Sequence, residues 1–400
     1  MDVAKNRHHA FFGTSTGHTL WKKLIFDNSI QGFNRLQDMA NNLMTQNGLQ
    51  TCVYGVEPTV SYHKPLAEHL ILQGQQVVYV SNVTVKNNRK TLDGRWDKND
   101  TKDAANIADL VSRGRCQYYD LAEEDVLELR NLIAYRTKLK KLEHGMRMRL
   151  RNNLLAQYFP ELDALMPQGG QDALILDIIA QGFAPAQIAA MPYEEFRARH
   201  QSQQRHIAQE RRLRTIWELS HESVGCAMPE ATAWEGRMLI DQLRHTRQSK
   251  QELEGRLRAV AQRFPAYSHL LTIPGFGPIV TTMVLAAIGD AQRFTSRKQI
   301  LRLAGLDLSA NRSGTKSDSA IPVISKQGKA GLRYALFQAA TIASYKDETI
   351  RNQFTRLLKG RELERGIKMK MRIKLAAKLL VVAWTLMKQN TDFDPDCFRS

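Results

Sequence analysis

Short apolar runs and helical patterns alternate along the first 118 residues of the chain. The runs at residues 51–56 and 76–80 predict buried strands, and residues 9–13 predict a further strand. Between them, apolar residues recur every three or four positions over residues 29–47, which predicts an amphipathic helix. Strands that alternate with helices are typical of an α/β layer fold with a mixed sheet.

The remainder of the chain is predicted to be mainly helical. Residues 122–159 carry apolar side chains at a period of about 3.5 to 3.6, which is typical of a long exposed helix or coiled-coil arm. A second long helix, at residues 234–263, is expected to pack antiparallel to the first. A polar loop is expected at residues 307–327, between further helices. These patterns predict three domains, at residues 1–120, 121–265 and 266–400.

The composition adds a strong positive charge to this picture. Fifty-seven Lys and Arg against 40 Asp and Glu give a net charge of +17, and the pI is near 9.8. An excess of this size predicts a polyanionic partner, with a basic solubilising surface as the alternative. The four cysteines show no CxxC spacing and predict reduced thiols without a zinc site. With no signal peptide and no apolar run long enough for a bilayer, we expect a cytoplasmic protein and no membrane partner.

Four carboxylates are candidates for a metal site. Asp100 and Asp103 lie three residues apart on one face of a predicted helix. Glu57 directly follows the strand at residues 51–56, and Asp2 is expected to lie at the centre of a first strand whose start is cut short. Four converging carboxylates are plausible only around divalent cations, and oxygen ligands favour Mg²⁺ or Mn²⁺. The alternatives are that the two aspartates cap a helix and that Glu57 is a solvated strand-end residue.

The stretch Ile273-Pro-Gly-Phe-Gly-Pro278 predicts a tight turn between two helices. Its glycines, Gly275 and Gly277, would let backbone N–H groups and a helix N-terminus approach a phosphate without reading base identity. A plain helix-connecting turn is the alternative interpretation.

A polar segment further along carries hydroxyl and basic side chains. Residues 310–317 and 324–333 suggest a loop that closes on a phosphate, with a flexible surface loop as the alternative. Residue chemistry alone does not choose a nucleophile among its serines, because no His or Asp base is fixed nearby. The candidate serines are Ser309, Ser313, Ser317, Ser319 and Ser325. The candidate nucleic-acid contacts are Lys316, Lys326, Lys329 and Arg333.

A final basic segment covers residues 359–378. Its bases interleave with apolar residues, a pattern that favours contact with a nucleic-acid backbone over base reading. The candidates chosen from it are Lys368, Lys370, Arg372 and Lys374.

The order of these motifs resembles a known family. Asp2, Glu57 and Asp100-x-x-Asp103, followed by IPGFGP, RSGTKS and ISKQGKAGLRYALFQAA, are similar to the DEDD transposases of one group of bacterial insertion sequences. Relatives of that family include Piv-type DNA invertases and bridge-RNA-guided recombinases. The resemblance covers nearly the whole chain and is strongest over residues 270–340.

The resemblance implies an N-terminal RuvC-like domain of ribonuclease H fold, a coiled-coil region and a helical C-terminal transposase domain with a helix-hairpin-helix-like turn. It makes the four carboxylates Mg²⁺ ligands and Ser313 the nucleophile that forms a covalent phosphoserine with DNA. It further implies donor and target DNA, a noncoding guide RNA, and a homo-oligomer, dimer or tetramer, in which the carboxylates of one protomer face Ser313 of another. The expected location is the bacterial cytoplasm, at the nucleoid.

One departure from the family pattern concerns Asp2. Family members have several apolar residues before the first aspartate, whereas here Met1 precedes it directly, so we expect either a misassigned start or a truncated first strand. Two other functions remain open at this stage. One is a RuvC-like junction nuclease that uses water, and the other is a catalytically degenerate protein that only binds nucleic acid.

Overall fold

The computed structural model describes residues 1–92, 100–119, 121–167, 172–200, 207–309 and 323–396. At residues 90–92, 100 and 309 it describes the backbone alone. The chain divides into two compact units, Met1–Ala122 and Glu123–Ser400. The finer division into three domains remains a prediction.

The first unit alternates strands with helices, as the apolar pattern predicts. Its described strands are β1 (Asp2–Val3), β2 (Arg7–Gly13), β3 (Thr19–Asp27), β4 (Val53–Val56), β5 (Gln76–Tyr79) and β6 (Gln117–Tyr118). Its described helices are α1 (Ile30–Gln46), α2 (His63–Leu72), α3 (Asn82–Leu92) and α4 (Asp100–Ser112).

Parallel and antiparallel pairs both occur in this unit. β1, β2 and β3 form an antiparallel sheet, while β4 and β5 pair in parallel and β6 lies antiparallel to β5. The Met1 amine donates a hydrogen bond of 2.7 Å to the carbonyl oxygen of Gly55, which links the start of β1 to β4. The predicted α/β class with mixed strand directions is therefore confirmed.

Gly55 allows α4 to lie directly on β4. A Cβ atom at position 55 would lie 2.6 Å from Cγ2 of Val111 and 3.5 Å from Cγ2 of Ile107. Helix α4 also packs against β1 and β2. It therefore crosses both the strand that carries Asp2 and the strand that precedes Glu57.

Two buried histidines couple the stability of this unit to pH. The His8 ring packs against the rings of Phe26 and Phe33, and its Nδ1 accepts a hydrogen bond from the Ala4 N–H. Burial lowers the pKa of His8 and that of His63. The unfolded chain therefore takes up protons first as the pH falls, so stability is complete above pH 6.5 and decreases below it.

Acidification from pH 7.5 to pH 5.5 is expected to destabilise the first unit by up to about 1.4 kcal/mol for each of these histidines. Hydrogen exchange of the β2 amides, corrected for the intrinsic rate at each pH, measures this change. The variant His8→Leu should show a smaller decrease. An equal decrease in the variant and the wild type would show that His8 is not a source of the effect.

The second unit is mainly helical. Its first part contains α5 (Glu124–Arg149), a π-helical segment (Leu150–Leu155), α6 (Ala156–Tyr158), α7 (Pro160–Leu165), α8 (Ala173–Gln181), α9 (Pro185–Ala189), α10 (Tyr193–His200), α11 (Ile207–His221) and α12 (Glu230–Ala261). Its second part contains α13 (Ala266–Leu271), α14 (Pro278–Ile288), α15 (Arg297–Ala304), β7 (Leu308–Ser309), β8 (Val323–Ile324), α16 (Ala330–Lys346), α17 (Glu348–Leu358) and α18 (Ile367–Gln389). None of the helices in the described ranges is long and apolar enough to cross a membrane.

Helices α5 and α12 pack antiparallel, which confirms the predicted arrangement. Ion pairs join the start of α5 to a residue just after α12, the middle of α5 to the second half of α12, and the end of α5 to the start of α12. These pairs are Asp125 with Arg263 at 2.8 Å, Arg136 with Glu254 at 2.7 Å, and Arg149 with Glu235 at 2.7 Å.

Two hydrophobic cores lie at the two ends of this helix pair. One contains Leu129 and Leu257 together with buried residues of α13 to α18. The other contains Leu150 and Ile240 together with buried residues of α7 to α11. The pair therefore connects two separately packed groups of helices within the second unit.

Glu143 lies between the two cores and is nearly buried. Its carboxylate accepts hydrogen bonds from Nε of Arg247 at 3.0 Å and from Nζ of Lys250 at 2.5 Å. Burial alone would raise the pKa of Glu143, but the bonds from Lys250 and Arg247 outweigh burial and lower it. A charged carboxylate between two cations thus holds α5 and α12 together.

The variant Glu143→Gln is expected to lower the free energy of unfolding of the second unit by about 1–3 kcal/mol, because it removes the negative charge that Arg247 and Lys250 both contact. Chemical denaturation measures the difference. Glu235→Gln is the matched control: its pair with Arg149 is more exposed, so its loss should cost less than about 1 kcal/mol. Equal losses in the two variants would contradict a special role for Glu143.

Candidate functional site

Asp2 lies in β1, directly opposite His9 of β2. It borders a cleft of about 670 Å³ on the first unit. The other residues that line this cleft are Ala4, Lys5, Asn6, Arg7, His9 and Asp27. The cleft therefore combines a candidate carboxylate ligand with basic side chains, of which Arg7 pairs with Asp27 at 3.2 Å.

Glu57 directly follows β4 and lies close to the same amine as Asp2. Burial lowers the pKa of the Met1 amine to about 5, while the carboxylates of Asp2 and Glu57 act in the opposite direction. Both carboxylates are thus within electrostatic reach of one buried group.

Asp103 is 3% exposed and lies on α4. Its Oδ1 is 2.6 Å from Nη2 of Arg89, a residue of α3. The neighbouring Asn88 donates hydrogen bonds of 2.8 Å to both Asn106 and Asp109, so polar contacts join α3 and α4. Arg89 supplies the countercharge that a buried carboxylate requires.

The four predicted ligands do not form a recognisable metal cluster in the part of the chain that the structure describes. Within it, no three His, Cys, Asp or Glu side chains are placed to hold one metal ion. The side chain of Asp100 lies outside the described residues, although its backbone opens α4. Sequence reasoning did not single out Arg89, and its position in the polar stretch KNNRK carries no signal that would have identified it.

The predicted turn at residues 273–278 connects α13 to α14. Gly275 has φ +85°, and a Cβ atom there would lie 2.3 Å from the carbonyl oxygen of Ala339 in α16. Gly277 is the N-cap of α14, with Pro278 in the first turn, and a Cβ at position 277 would meet no atom within 4 Å. Gly275 thus allows the turn to pack closely against α16, while Gly277 is exposed at the N-terminus of α14.

Ser313 and Lys316 lie outside the described residues, as do Ser317 and Ser319. The segment that carries them, residues 310–322, connects β7 to β8, which pair antiparallel. Ser325, another candidate nucleophile, donates a hydrogen bond of 2.6 Å from its hydroxyl to Oδ1 of Asp307.

The three described cations near this segment differ in their surroundings. Lys326 is exposed and has φ +56°. Lys329 donates from Nζ to the carbonyl oxygen of Ala287 at 2.7 Å, and Arg333 donates from Nη1 to that of Ala304 at 2.7 Å. Desolvation and, to a smaller extent, the nearby charges of Arg130 and Arg293 lower the pKa of Lys329 to about 8.

The four candidates on α18 also fall into two groups. Lys368, Lys370 and Lys374 are exposed. Arg372 is half-buried; its guanidinium contacts the Tyr345 hydroxyl and lies 4.9 Å from the centre of that ring. The three lysines are thus accessible to a polyanion, whereas Arg372 is engaged with α16.

Two family models match the chain. A model of the DEDD transposases of the IS110 group, described as "Transposase", matches residues 1–160. A second model, described as "Transposase IS116/IS110/IS902 family", matches residues 267–355. The first range contains all four candidate carboxylates. The second contains the turn at residues 273–278 and residues 310–322, which we call the serine segment.

Individual relatives match over different lengths. A pilin gene-inverting protein of Moraxella bovis is 30% identical over 158 residues, which are 38% of this chain and 48% of that protein. Its counterpart in Moraxella lacunata is 29% identical over the same length. This chain thus spans about half the length of these two relatives. The transposase for insertion sequence element IS1328 of Yersinia enterocolitica is 24% identical over 393 residues, which are 98% of this chain and 97% of that protein.

Proposed function

Because the chain belongs to the IS110-type transposase family, we propose that it is a DNA transposase or recombinase of an insertion sequence. The observation that carries this proposal is the match of two transposase models in chain order, one over the carboxylates and one over the serine segment. The proposal includes a RuvC-like ribonuclease H fold for the first unit, whose mixed α/β architecture is compatible with it.

Asp2, Glu57, Asp100 and Asp103 would hold a divalent cation, Mg²⁺ or Mn²⁺. Their donors are all carboxylate oxygens, which such hard cations prefer. Oδ1 of Asp103 is buried and, although it lies near Arg89, has no hydrogen bond of normal geometry within the described residues. When bound, the cation supplies positive charge to a phosphate oxygen and makes a hydroxyl more acidic. These features fit a metal ligand at position 103.

Ser313 would act as the nucleophile. Its hydroxyl oxygen forms a bond to the phosphorus of a DNA phosphodiester, the bond from phosphorus to one deoxyribose oxygen breaks, and that oxygen leaves as a hydroxyl with the proton lost by the serine. A deoxyribose hydroxyl of another strand then attacks the phosphoserine and regenerates the serine. The number of phosphodiester bonds is conserved, so strand exchange needs no external energy source.

The partners proposed are donor and target DNA, a noncoding guide RNA and further copies of the chain. The net charge of +17 and the exposed lysines of α18 support a nucleic-acid partner. In a dimer or tetramer, the carboxylates of one protomer would act with Ser313 of another. The proposed location is the cytoplasm, at the nucleoid.

A covalent-adduct assay tests the proposal. The protein is incubated with Mg²⁺ and a supercoiled plasmid that carries the DNA flanking its gene, with RNA transcribed from the same region, and the products are run on a denaturing gel. We expect recombined DNA and a protein–DNA adduct. Nicked DNA without an adduct would instead indicate a hydrolytic nuclease. Unchanged DNA despite salt-sensitive binding would indicate a protein that only binds nucleic acid.

A further inference from the structure

The residues that flank the serine segment on its two sides are hydrogen-bonded to each other. Leu308 pairs with Ile324 through β7 and β8. Behind this pair, the Ser325 N–H donates to the carbonyl oxygen of Asp307 at 2.8 Å, and the Lys326 N–H donates to that of Gly305 at 3.0 Å. Residues 305–308 and 324–326 are thus joined by hydrogen bonds, and we call them the base of the serine segment.

Two glycines bring the backbones of this base into contact. A Cβ atom on Gly328 would lie 2.3 Å from the Gly305 nitrogen, closer than real side chains approach. Gly305 ends α15 in the left-handed conformation, with φ +64°, and a Cβ there would lie 2.8 Å from the carbonyl carbon of Lys326. Glycine is therefore required on both sides of the contact.

Arg333 connects the base to the end of α15 by hydrogen bonds. Its Nη1 donates to the carbonyl oxygen of Ala304, the last residue of that helix, at 2.7 Å, and lies 3.5 Å from the carbonyl oxygen of Lys326. A cation is favourable at this position, because the carbonyl groups at a helix C-terminus carry partial negative charge.

Lys329 connects the base to the C-terminal ends of both α14 and α15. Its backbone N–H donates to the carbonyl oxygen of Leu303 in α15 at 2.8 Å. Its Nζ donates to the carbonyl oxygen of Ala287 in α14 at 2.7 Å. Arg130 from α5 donates to the adjacent Ala286 carbonyl at 2.8 Å. Lys329 as a whole residue is exposed, but its ammonium group donates to the carbonyl oxygen of Ala287 near the C-terminus of α14.

We propose that Lys329 and Arg333 are positioning residues that hold the base of the serine segment against the C-termini of α14 and α15, rather than phosphate contacts. This inference rests on the proposed function, since the segment matters only if Ser313 attacks DNA. A small displacement of a nucleophile can reduce a rate by about 100-fold. Loss of either anchor is therefore expected to impair attack while binding persists.

The test compares Lys329→Met and Arg333→Gln with the wild-type protein. For each, the DNA dissociation constant is measured at several salt concentrations, together with the amount of covalent adduct formed per bound DNA. We expect unchanged affinity and salt dependence, with an adduct yield reduced by about 10- to 100-fold. Arg333→Lys, which retains a donor for one carbonyl, should restore part of the yield.

Lys370→Met is the matched control, because Lys370 is exposed on α18 and a candidate phosphate contact. It should weaken binding and lower the salt dependence of binding by about one counterion. The inference is wrong if Lys329→Met and Arg333→Gln behave like this control. It is also wrong if both variants retain the wild-type adduct yield.

Hydrogen exchange separates this inference from the proposed function. Amides at residues 303–309 and 323–329 should exchange faster in Arg333→Gln than in the wild type, whereas amides of α12 should be unchanged. If the wild type forms no adduct, the proposed function fails, but faster exchange still supports the anchoring of the base. Unchanged exchange at the base would overturn the anchoring itself.

Discussion

Replacement of Asp103 by asparagine is expected to lower the rate of DNA strand cleavage by at least about 100-fold. Asparagine has nearly the same shape as aspartate, so the packing of α4 should persist. It lacks the negative charge that a divalent cation requires, however, and one amide oxygen binds such a cation weakly. Cleavage is measured under single-turnover conditions over a range of Mg²⁺ concentrations. Since Arg89 is partly exposed, water can solvate its charge once the pair is lost.

Asp109→Asn is the matched control for this variant. Asp109 lies on the same helix, accepts a hydrogen bond from Asn88 and pairs with Arg113, one turn away. It is more exposed than Asp103 and is not a candidate ligand, so its replacement should leave cleavage close to the wild-type rate. Similar losses in both variants would point to a general disturbance of α4. Full cleavage activity in Asp103→Asn would exclude Asp103 as an essential ligand.

Replacement of Ser313 by alanine is expected to abolish the covalent adduct and to lower strand exchange by at least about 1,000-fold, because the attacking oxygen is removed. DNA binding should persist, since alanine removes only one hydroxyl group from a strongly basic chain. The denaturing gel reports the adduct, and a filter-binding assay reports the affinity. The two measurements together separate loss of chemistry from loss of binding.

Ser317→Ala is the control within the same segment. If the family assignment holds, this variant forms the adduct at the wild-type level. A reversed result, with the adduct lost in Ser317→Ala and kept in Ser313→Ala, would move the nucleophile to position 317. Loss in neither variant would leave Ser325, whose hydroxyl donates to Asp307, as the described candidate to replace next.

Elements with a clear apolar pattern were predictable from the sequence, and others were not. The predicted strand at residues 51–56 contains β4, and the predicted helix at residues 29–47 matches α1. Strand β3 was not predicted, because Lys22 and Lys23 interrupt its apolar positions. Its pairing with β2 stabilises it, and that contact is not visible in a local pattern.

The contacts that the candidate carboxylates make also could not be predicted from the sequence. The family order identified Asp103, but the pair with Arg89 joins two helices, and nothing in their spacing indicates which cation reaches which carboxylate. Lys329 and Arg333 present the same difficulty. Basic residues near glycines are as typical of a phosphate loop as of a helix end, and only the positions of α14 and α15 show that both side chains reach carbonyl oxygens.

The closed base formed by β7 and β8 has a consequence for the exchange of segments between relatives. Its pairing and the Gly305–Gly328 contact are made by residues on either side of 310–322, so these contacts do not require a particular length of that segment. Doubling the length of a loop with fixed ends costs only about 0.6 kcal/mol in closure entropy. We therefore expect that the corresponding segment of a related transposase can be grafted between Ser309 and Val323, which would allow chimeric proteins to be built at this position.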